Sequence, residues 1–274
     1  MVRAGAGEAV VVVRRPVEWQ PVSPLVVLPT YQEAENIQDI LARIRAAVPE
    51  AHVLVVDDGS PDGTADLAVT AAGELGQIEV LRRTEKNGLG PAYRAGFAWG
   101  MERGHDILME MDADGQHDPA VLPDLIAALD RHDADLAIGS RYVPGGAVPG
   151  WPANRRLLSK WGNRYIGLML DLPVRDATAG FRAYRTAIIE RIGLERVRAD
   201  GYGFQIEMAY EVSKAGGRIV EIPITFRDRE RGISKMSPNI VGEALVLVTR
   251  WGVRDRLARF RTGARGAGGR PAGP

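Results

Sequence analysis

Two aspartates, Asp112 and Asp114, follow a mostly apolar segment over 107–111. Residues two apart on an extended chain point the same way, so both carboxylates can converge on one point. Carboxylates and diphosphate oxygens suit a hard cation such as Mg²⁺ or Mn²⁺, and Gln116 continues the spacing with an amide oxygen. The alternative is an Asp-rich turn in which Asp118 caps the next helix. The position at the end of a central strand favours the metal site.

A second acidic segment, DDGSPDGT, covers residues 57–64. Carboxylates directly after a strand can accept hydrogen bonds from a base N–H or a ribose hydroxyl. Thr64 is suited to capping the following helix, so Asp62 and Thr64 are predicted to be structural. Neither acidic segment matches a calcium-binding loop, because the glutamate expected at the twelfth position is Pro123 in one and Val69 in the other.

The chain contains no Gly-Lys-Ser/Thr sequence. Gly88-Leu89-Gly90 begins like a dinucleotide-binding fingerprint, but Tyr93 occupies the third glycine position, which disfavours a dehydrogenase. A bound diphosphate would therefore depend on a metal and on basic side chains. The candidates, each of which could instead be a solvated surface charge, are Arg141, Arg155, Arg156, Arg182, Arg229 and Lys235.

The elements that must position these residues alternate between strand and helix. Apolar runs predict strands at 25–28, 53–56, 78–81, 107–111 and 136–138, and helical spacing predicts helices at 37–48, 64–75, 90–103 and 118–130. Continuous apolar strands alternating with helices indicate an α/β fold, with a mostly parallel sheet covered on both faces. Ligands bind at the carboxyl ends of such strands, which is where the polar segments lie.

The second half of the chain is less regular. Its pattern predicts strands at 177–184 and 219–226 and helices at 154–171, 204–214 and 238–259. Pro223 favours an edge position for the second of these strands, because proline cannot donate a hydrogen bond to a neighbouring strand.

Composition excludes several classes of protein. There is no cysteine, which excludes disulfide frameworks, cysteine-ligated metal centres and cysteine nucleophiles. Lys+Arg and Asp+Glu are both 35, which disfavours a nucleic-acid partner. Residues 1–22 and 261–274 are expected to be disordered tails, and no signal peptide is predicted. The longest apolar candidate, 240–253, is interrupted by Glu243 and Arg250, so no membrane span is expected either.

Six ordered motifs resemble a known enzyme family. The stretches VVLPTYQEAENI (26–37), VVDDGSPDGT (55–64), MDADGQH (111–117) and GSRY (139–142) resemble the inverting family 2 glycosyltransferases with the GT-A fold. DATAGFRAY (176–184), and FRDR (226–229) with GISK (232–235), are similar to polyprenol (dolichol) monophosphate mannose synthases. Ala177 and Ala179 stand where that family often has Cys and Ser, and some members carry C-terminal membrane spans that are not expected here.

The resemblance implies a GT-A domain over 23–237, followed by an amphipathic interfacial helix over 238–260. It implies transfer of mannose from GDP-mannose to a polyprenyl monophosphate, with Mg²⁺ or Mn²⁺, at the cytoplasmic face of a membrane. By position, it implies a nucleotide pocket of Pro29, Tyr31, Glu33, Val56, Asp58 and Ala113, metal ligands Asp112, Asp114 and Gln116, diphosphate ligands Arg229 and Lys235, and acceptor-phosphate ligands Arg141 and Arg155. Asp114, Arg141 and Arg155 are the expected catalytic residues.

Several alternatives stay open at this point. The donor could be another nucleotide sugar such as UDP-glucose, because sugar choice depends on a few hydrogen bonds. The chain could also be a non-catalytic nucleotide-binding subunit, although the carboxylates and loop cations disfavour that. The basic amphipathic segments 157–172 and 238–260 suit peripheral membrane contact, but they could instead pack on the sheet, on a second subunit or on a membrane-spanning partner.

Overall fold

The computed structural model describes residues 23–84, 86, 88–227 and 238–266. Its strands are β1 Pro24–Thr30, β2 His52–Asp57, β3 Ile78–Arg82, β4 Ile107–Glu110, β5 Leu136–Ser140, β6 Arg182–Arg185 and β7 Ile219–Pro223. Its α-helices are α1 Ile37–Ala47, α2 Thr64–Leu75, α3 Leu89–Glu102, α4 Leu122–Arg131, α5 Ala153–Leu170, α6 Thr186–Ile192, α7 Gly201–Lys214 and α8 Pro238–Gly266. A 3₁₀ turn, Pro119–Val121, precedes α4 and is capped by Asp118, and a second, Leu194–Arg196, follows α6.

The strands form one seven-stranded sheet in the order β3-β2-β1-β4-β6-β5-β7. All neighbours are parallel except β6, which is antiparallel to both β4 and β5. The mostly parallel α/β sheet predicted from the sequence is therefore confirmed. Strand β7 lies at the edge of the sheet, as Pro223 indicated.

Strands β1 and β2 are almost wholly buried, with helices on both faces of the sheet, which explains the apolar runs at 25–28 and 53–56. The central strands β4 and β6 additionally carry the buried charged side chains of Glu110 and Arg182. In β1, Leu25 and Val27 pack toward α3, whereas Val26 and Leu28 pack toward α1 on the other face. Alternate residues of a strand point to opposite faces, so each strand contributes to two separate cores. The apolar side chains thus fix the sheet rigidly, and the polar residues that follow each strand project from its carboxyl edge.

Helix α3 lies unusually close to the sheet because its inner face contains glycine. A Cβ added at Gly96 would lie 2.4 Å from Val27 Cγ1. We expect Gly96→Ala to destabilise the protein by about 1–3 kcal/mol, since a close-packed core accommodates an added methyl group only by shifting. Thermal unfolding measures the effect. Gly73 lies on the exposed face of α2, and a Cβ added there would have nothing within 4 Å, so Gly73→Ala should be neutral or stabilising. Equal losses of stability in the two variants would contradict this expectation.

The structure differs from the sequence-based expectations in four places, the first being that the strand predicted at 219–226 ends at Pro223. The short helix α6 directly follows β6 and was not predicted. Of the strand predicted at 177–184, only its end is extended, because 176–181 forms a loop. Helix α8 continues to Gly266, beyond the predicted end at 260, while residues 1–22 and 267–274 lie outside the described ranges. Within the described part of the chain, no helix has the length and apolar character that crossing a bilayer requires.

Candidate active site

The carboxyl ends of β1, β2 and β4 open into a cavity of about 440 Å³, a volume suited to a small-molecule ligand. The predicted site residues among those lining it are Pro29, Tyr31, Glu33, Asp58, Asp112, Ala113 and Asp114. Further lining residues are Lys86, Gly88, Leu89 and Ala92, the segment 200–203 and, from α8, Ala244 and Leu247. The nucleotide and metal residues taken from the sequence are thus largely brought together.

Asp112 and Asp114 are held in place by hydrogen bonds from neighbouring groups. The Gln116 backbone N–H donates to Asp114 Oδ1 at 3.0 Å, and the Tyr93 hydroxyl donates to Asp112 Oδ1 at 3.4 Å. Gln116 does not line the cavity; its Nε2 donates to the carbonyl oxygen of Arg227 at 3.1 Å. Both carboxylates therefore reach one cavity, as the spacing predicted. The side-chain amide of Gln116 instead links this loop to the segment after β7.

The two carboxylates of Asp112 and Asp114 alone do not complete the coordination of a metal ion. Among the residues the structure describes, no group of three or more His, Asp or Glu side chains could hold a metal ion. The available donors at Asp112 and Asp114 are carboxylate oxygens, which suit Mg²⁺ or Mn²⁺. The set therefore fits a hard divalent ion whose remaining ligands come from the phosphate oxygens of a bound nucleotide and from water.

Two buried side chains near Asp112 and Asp114 in the sequence, Glu110 and His117, have shifted pKa values. Burial raises the pKa of Glu110 to about 7, and the guanidinium of Arg182, its cross-strand partner on β6, acts in the opposite direction. Burial lowers the pKa of His117 to about 4, so its ring is uncharged at neutral pH. His117 stacks on Phe181 with ring centroids 4.9 Å apart. His117 therefore adds no positive charge next to the carboxylates of Asp112 and Asp114.

Arg182 was considered as a phosphate ligand, and the structure places it elsewhere. Its side chain is fully buried in the core. It donates to the carbonyl oxygens of Ala177, Ala179 and Gln205, each at 2.7 Å. Arg182 therefore fixes the loop before β6 and the start of α7, and it does not line the cavity.

The acidic segment after β2 divides into structural and cavity-lining members. Asp57 accepts hydrogen bonds from Thr30 and Ser60, and Asp62 accepts from Thr64, which is the structural role predicted for that pair. Asp58 lines the cavity, and Arg83 Nη1 donates to its Oδ1 at 2.8 Å.

Val56 is predicted as a nucleotide contact, but its side chain is fully buried within the core and does not line the cavity. As the next-to-last residue of β2, it points into the sheet–helix core because alternate residues of a strand face opposite sides. Val56 therefore supports the strand end from which Asp58 projects.

Sequence reasoning missed one wall of the cavity. The Asp200 Oδ1 accepts the backbone N–H of Gly90 and that of Gly201, both at 2.7 Å, and so joins the first turns of α3 and α7. The ammonium of Lys86 lies 4.0 Å from the centroid of the Tyr31 ring. Asp followed by Gly before a helix is a capping signal that predicts the local role of Asp200, but nothing local predicts its bond to Gly90.

The two arginines expected at the acceptor phosphate lie beyond this cavity lining. Arg141 is buried and makes a bidentate pair with Asp176, at 2.7 Å from Nε and 2.6 Å from Nη2. Arg155 is half-buried in the first turn of α5, and its guanidinium carbon lies 3.8 Å from the centroid of the Trp151 ring. Arg229 and Lys235, expected at the donor diphosphate, lie outside the described residues.

Comparisons with known proteins show which proteins the chain resembles. The family model described as Glycosyl transferase family 2 matches residues 25–193. The chain is 54% identical to the undecaprenyl-phosphate mannosyltransferase of Micrococcus luteus, over 86% of this chain and 97% of that one. It is 50% identical to the polyprenol monophosphomannose synthase of Mycolicibacterium smegmatis, over 86% and 89%, and 38% identical to the dolichol-phosphate mannosyltransferase of Pyrococcus furiosus, over 86% and 66%.

Solved structures resemble the fold at low sequence identity. Glucosyl-3-phosphoglycerate synthase from Mycobacterium tuberculosis, in complex with Mn²⁺, UDP-glucose and phosphoglyceric acid, aligns with a TM-score of 0.64 and 17% identity over 85% of this chain and 80% of that one. The same synthase with Mn²⁺, UDP and glucosyl-3-phosphoglycerate aligns with a TM-score of 0.60 and 19% identity, over 83% and 77%. These likenesses confirm the predicted GT-A-type fold.

Proposed function

The chain belongs to glycosyl transferase family 2, and from that membership and the cavity at the strand ends we propose that it transfers mannose from GDP-mannose to a polyprenyl monophosphate. The observation that carries the proposal is the carboxylate pair Asp112 and Asp114 in a nucleotide-sized cavity. The relatives that are 54% and 50% identical are named for mannose transfer to undecaprenyl phosphate or polyprenol monophosphate, which supports the same acceptor class here.

The donor nucleotide occupies the cavity between β1, β2 and α3. Asp58 accepts hydrogen bonds from the base or ribose, and Tyr31 and Pro29 contact the same part of the ligand. Asp112 and Asp114 hold Mg²⁺ or Mn²⁺ against the diphosphate, with Gln116 as a further predicted ligand. An ion held by these residues would supply positive charge against the charge that develops on the leaving diphosphate. Arg229 and Lys235 stay predictions for additional diphosphate contacts.

The acceptor phosphate provides its own nucleophile. A phosphate monoester is largely dianionic near neutral pH, since its second pKa is about 6, so no general base is needed. Its oxygen bonds to the anomeric carbon as the bond from that carbon to the diphosphate oxygen breaks, and the configuration inverts. Arg141 and Arg155 bind the acceptor phosphate and align its oxygen for displacement.

A defined assay tests the proposal. The full chain is incubated with GDP-mannose, a short-chain polyprenyl phosphate and Mg²⁺ or Mn²⁺, and the lipid product is analysed by mass spectrometry. We expect the acceptor mass plus one hexose. UDP-glucose is offered in competition, and preferential use of UDP-glucose would replace the proposed donor. Nucleotide binding without turnover of either donor would indicate a non-catalytic subunit.

We further propose that helices α5 and α8 contact the cytoplasmic face of the membrane that holds the acceptor. The apolar side chains that these helices expose are Leu157, Leu158, Trp161, Leu168, Val246, Val253 and Leu257. The helices pack on each other, with Tyr165 and Thr249 hydroxyls 2.7 Å apart and Arg256 donating to the Leu168 carbonyl oxygen at 2.9 Å. Nearby exposed basic residues, including Arg156, Lys160 and Arg254, complement anionic lipid headgroups.

Replacing Leu157 and Trp161 together by glutamate should weaken binding to vesicles of anionic phospholipid by at least about tenfold, because burying each apolar side chain in the interface contributes about 1–3 kcal/mol. Vesicle sedimentation measures the change. Val69→Glu is the matched control, since Val69 is 49% exposed on α2, away from α5 and α8. Unchanged binding by the double variant would contradict lipid contact and favour a membrane-spanning partner.

A further inference from the structure

Trp151 lies at the end of the loop that joins β5 to α5, just before Pro152, the N-cap residue of α5. Its side chain is only 8% exposed. It packs edge-to-face on Phe226, with ring centroids 5.8 Å apart and an interplanar angle of 88°. The indole ring is therefore fixed by its surroundings, and its face is available to neighbouring cations.

Two guanidinium groups approach that one ring. The guanidinium carbon of Arg155 lies 3.8 Å from the ring centroid, and that of Arg141 lies 5.7 Å from it. Both distances are within the range of cation–π attraction, for which tryptophan is the strongest aromatic partner. The Trp151 ring is therefore a contact that the two guanidinium groups share.

The two arginines have different surroundings. Arg141 is fixed by Asp176, which accepts two side-chain hydrogen bonds and also the Arg141 backbone N–H at 2.9 Å. Thr178 Oγ1 accepts a further bond from Arg141 Nη2 at 2.8 Å. Arg155 is half-buried at the start of α5 and stacks directly on Trp151. The ring therefore sets the position of Arg155 relative to an arginine that is already fixed.

We propose that Trp151 is a positioning residue for the acceptor phosphate. It holds the guanidinium of Arg155 beside that of Arg141, so that both cations bind one phosphate group. This inference rests on the proposed function, since it assigns the acceptor phosphate to the two arginines. Positioning of this kind acts on the acceptor and leaves the donor nucleotide pocket, on the Asp112 and Asp114 side, unchanged.

The test separates acceptor binding from donor binding. Trp151→Leu should raise the KM for a short-chain polyprenyl phosphate by about tenfold, which corresponds to about 1.4 kcal/mol and is within the range of a partly desolvated cation–π contact. The KM for GDP-mannose should change by less than about twofold. Trp151→Phe retains an aromatic face and should recover most of the loss. Calorimetric binding of the same acceptor, without turnover, should follow the same order.

A double-mutant cycle with Arg155→Ala identifies the partner. In the Arg155→Ala background, Trp151→Leu should add little further loss, because the ring no longer has its nearer cation to position. If Trp151→Leu does not fold, Trp151→Met, which fills more of the space and also lacks an aromatic face, takes its place in the same cycle. If Trp151→Leu raises the acceptor KM equally with and without Arg155, the inference is overturned and Trp151 has a packing role. A parallel rise in the KM for GDP-mannose overturns it in the same way.

The outcome also distinguishes this inference from the proposed function. A wild-type protein that transfers mannose, but whose Trp151 variants keep their acceptor affinity, overturns the inference alone. A wild-type protein that neither transfers mannose to polyprenyl phosphate nor binds it overturns both.

Discussion

Asp114→Asn is expected to lower kcat for mannose transfer by about 10³-fold, which is the size of loss seen when a group that stabilises transition-state charge is removed. Asparagine keeps the size of the side chain and an oxygen that can accept the Gln116 N–H, but it removes the negative charge that faces the cavity. The substitution therefore weakens metal binding against the diphosphate with little change in packing. Initial rates at saturating donor and acceptor measure it.

Matched controls make this result specific to the site. Asp124→Asn removes a carboxylate that is 69% exposed on α4 and pairs loosely with Arg131, so its activity should equal that of the wild type. Binding of Mn²⁺ in the presence of GDP, followed by electron paramagnetic resonance, should weaken in the Asp114 variant and not in the control. Near-normal turnover by Asp114→Asn, with normal Mn²⁺ binding, would refute the assigned role.

Asp176→Asn is expected to destabilise the fold by about 3–5 kcal/mol, because it leaves the buried guanidinium of Arg141 without its countercharge. The side chains of Asp176 and Arg141 are 0% and 7% exposed, and their closest atoms are 2.6 Å apart. At about 2–4 °C for each kcal/mol in a chain of this size, Tm should fall by roughly 10 °C. Thermal unfolding followed by circular dichroism measures the shift.

An exposed ion pair of the same length provides the comparison. Arg82 and Asp66 are also 2.6 Å apart, but their side chains are 54% and 76% exposed, so Asp66→Asn should cost less than about 1 kcal/mol. If Asp176→Asn and Asp66→Asn lower Tm by the same amount, burial of the pair of Arg141 and Asp176 adds nothing measurable to the stability of the fold.

The part of the site built at strand ends could be predicted from the sequence. Apolar runs locate β1, β2 and β4, and a parallel sheet brings the residues after each run to one edge. That rule points to Asp112 and Asp114 and to the segment 57–60, within which the family resemblance selects Asp58; Asp58, Asp112 and Asp114 all line the cavity. The rule predicts where a residue lies along the backbone relative to the sheet. It succeeds here because the apolar composition of a buried parallel strand can be recognised in the sequence.

Contacts between distant segments could not be predicted. The bond from Gly90 to Asp200 spans 110 residues, and the pair of Arg141 and Asp176 spans 35. Arg182 resembled a ligand because most arginines are exposed, yet here its charge is offset by loop carbonyls within the core. Sequence patterns carry periodicity along one element, whereas these interactions depend on which elements meet.

The reversed strand β6 has a consequence for how the chain assembles during synthesis. It occupies the gap between β4 and β5, so neither of these strands has a partner on that side until residues 182–185 are available. Unpaired strand edges are sites of intermolecular association. A nascent chain that stops before Arg185 also lacks β7, so one edge of β4 and both edges of β5 are unpaired, and the N-terminal segments cannot be treated as an independent folding unit.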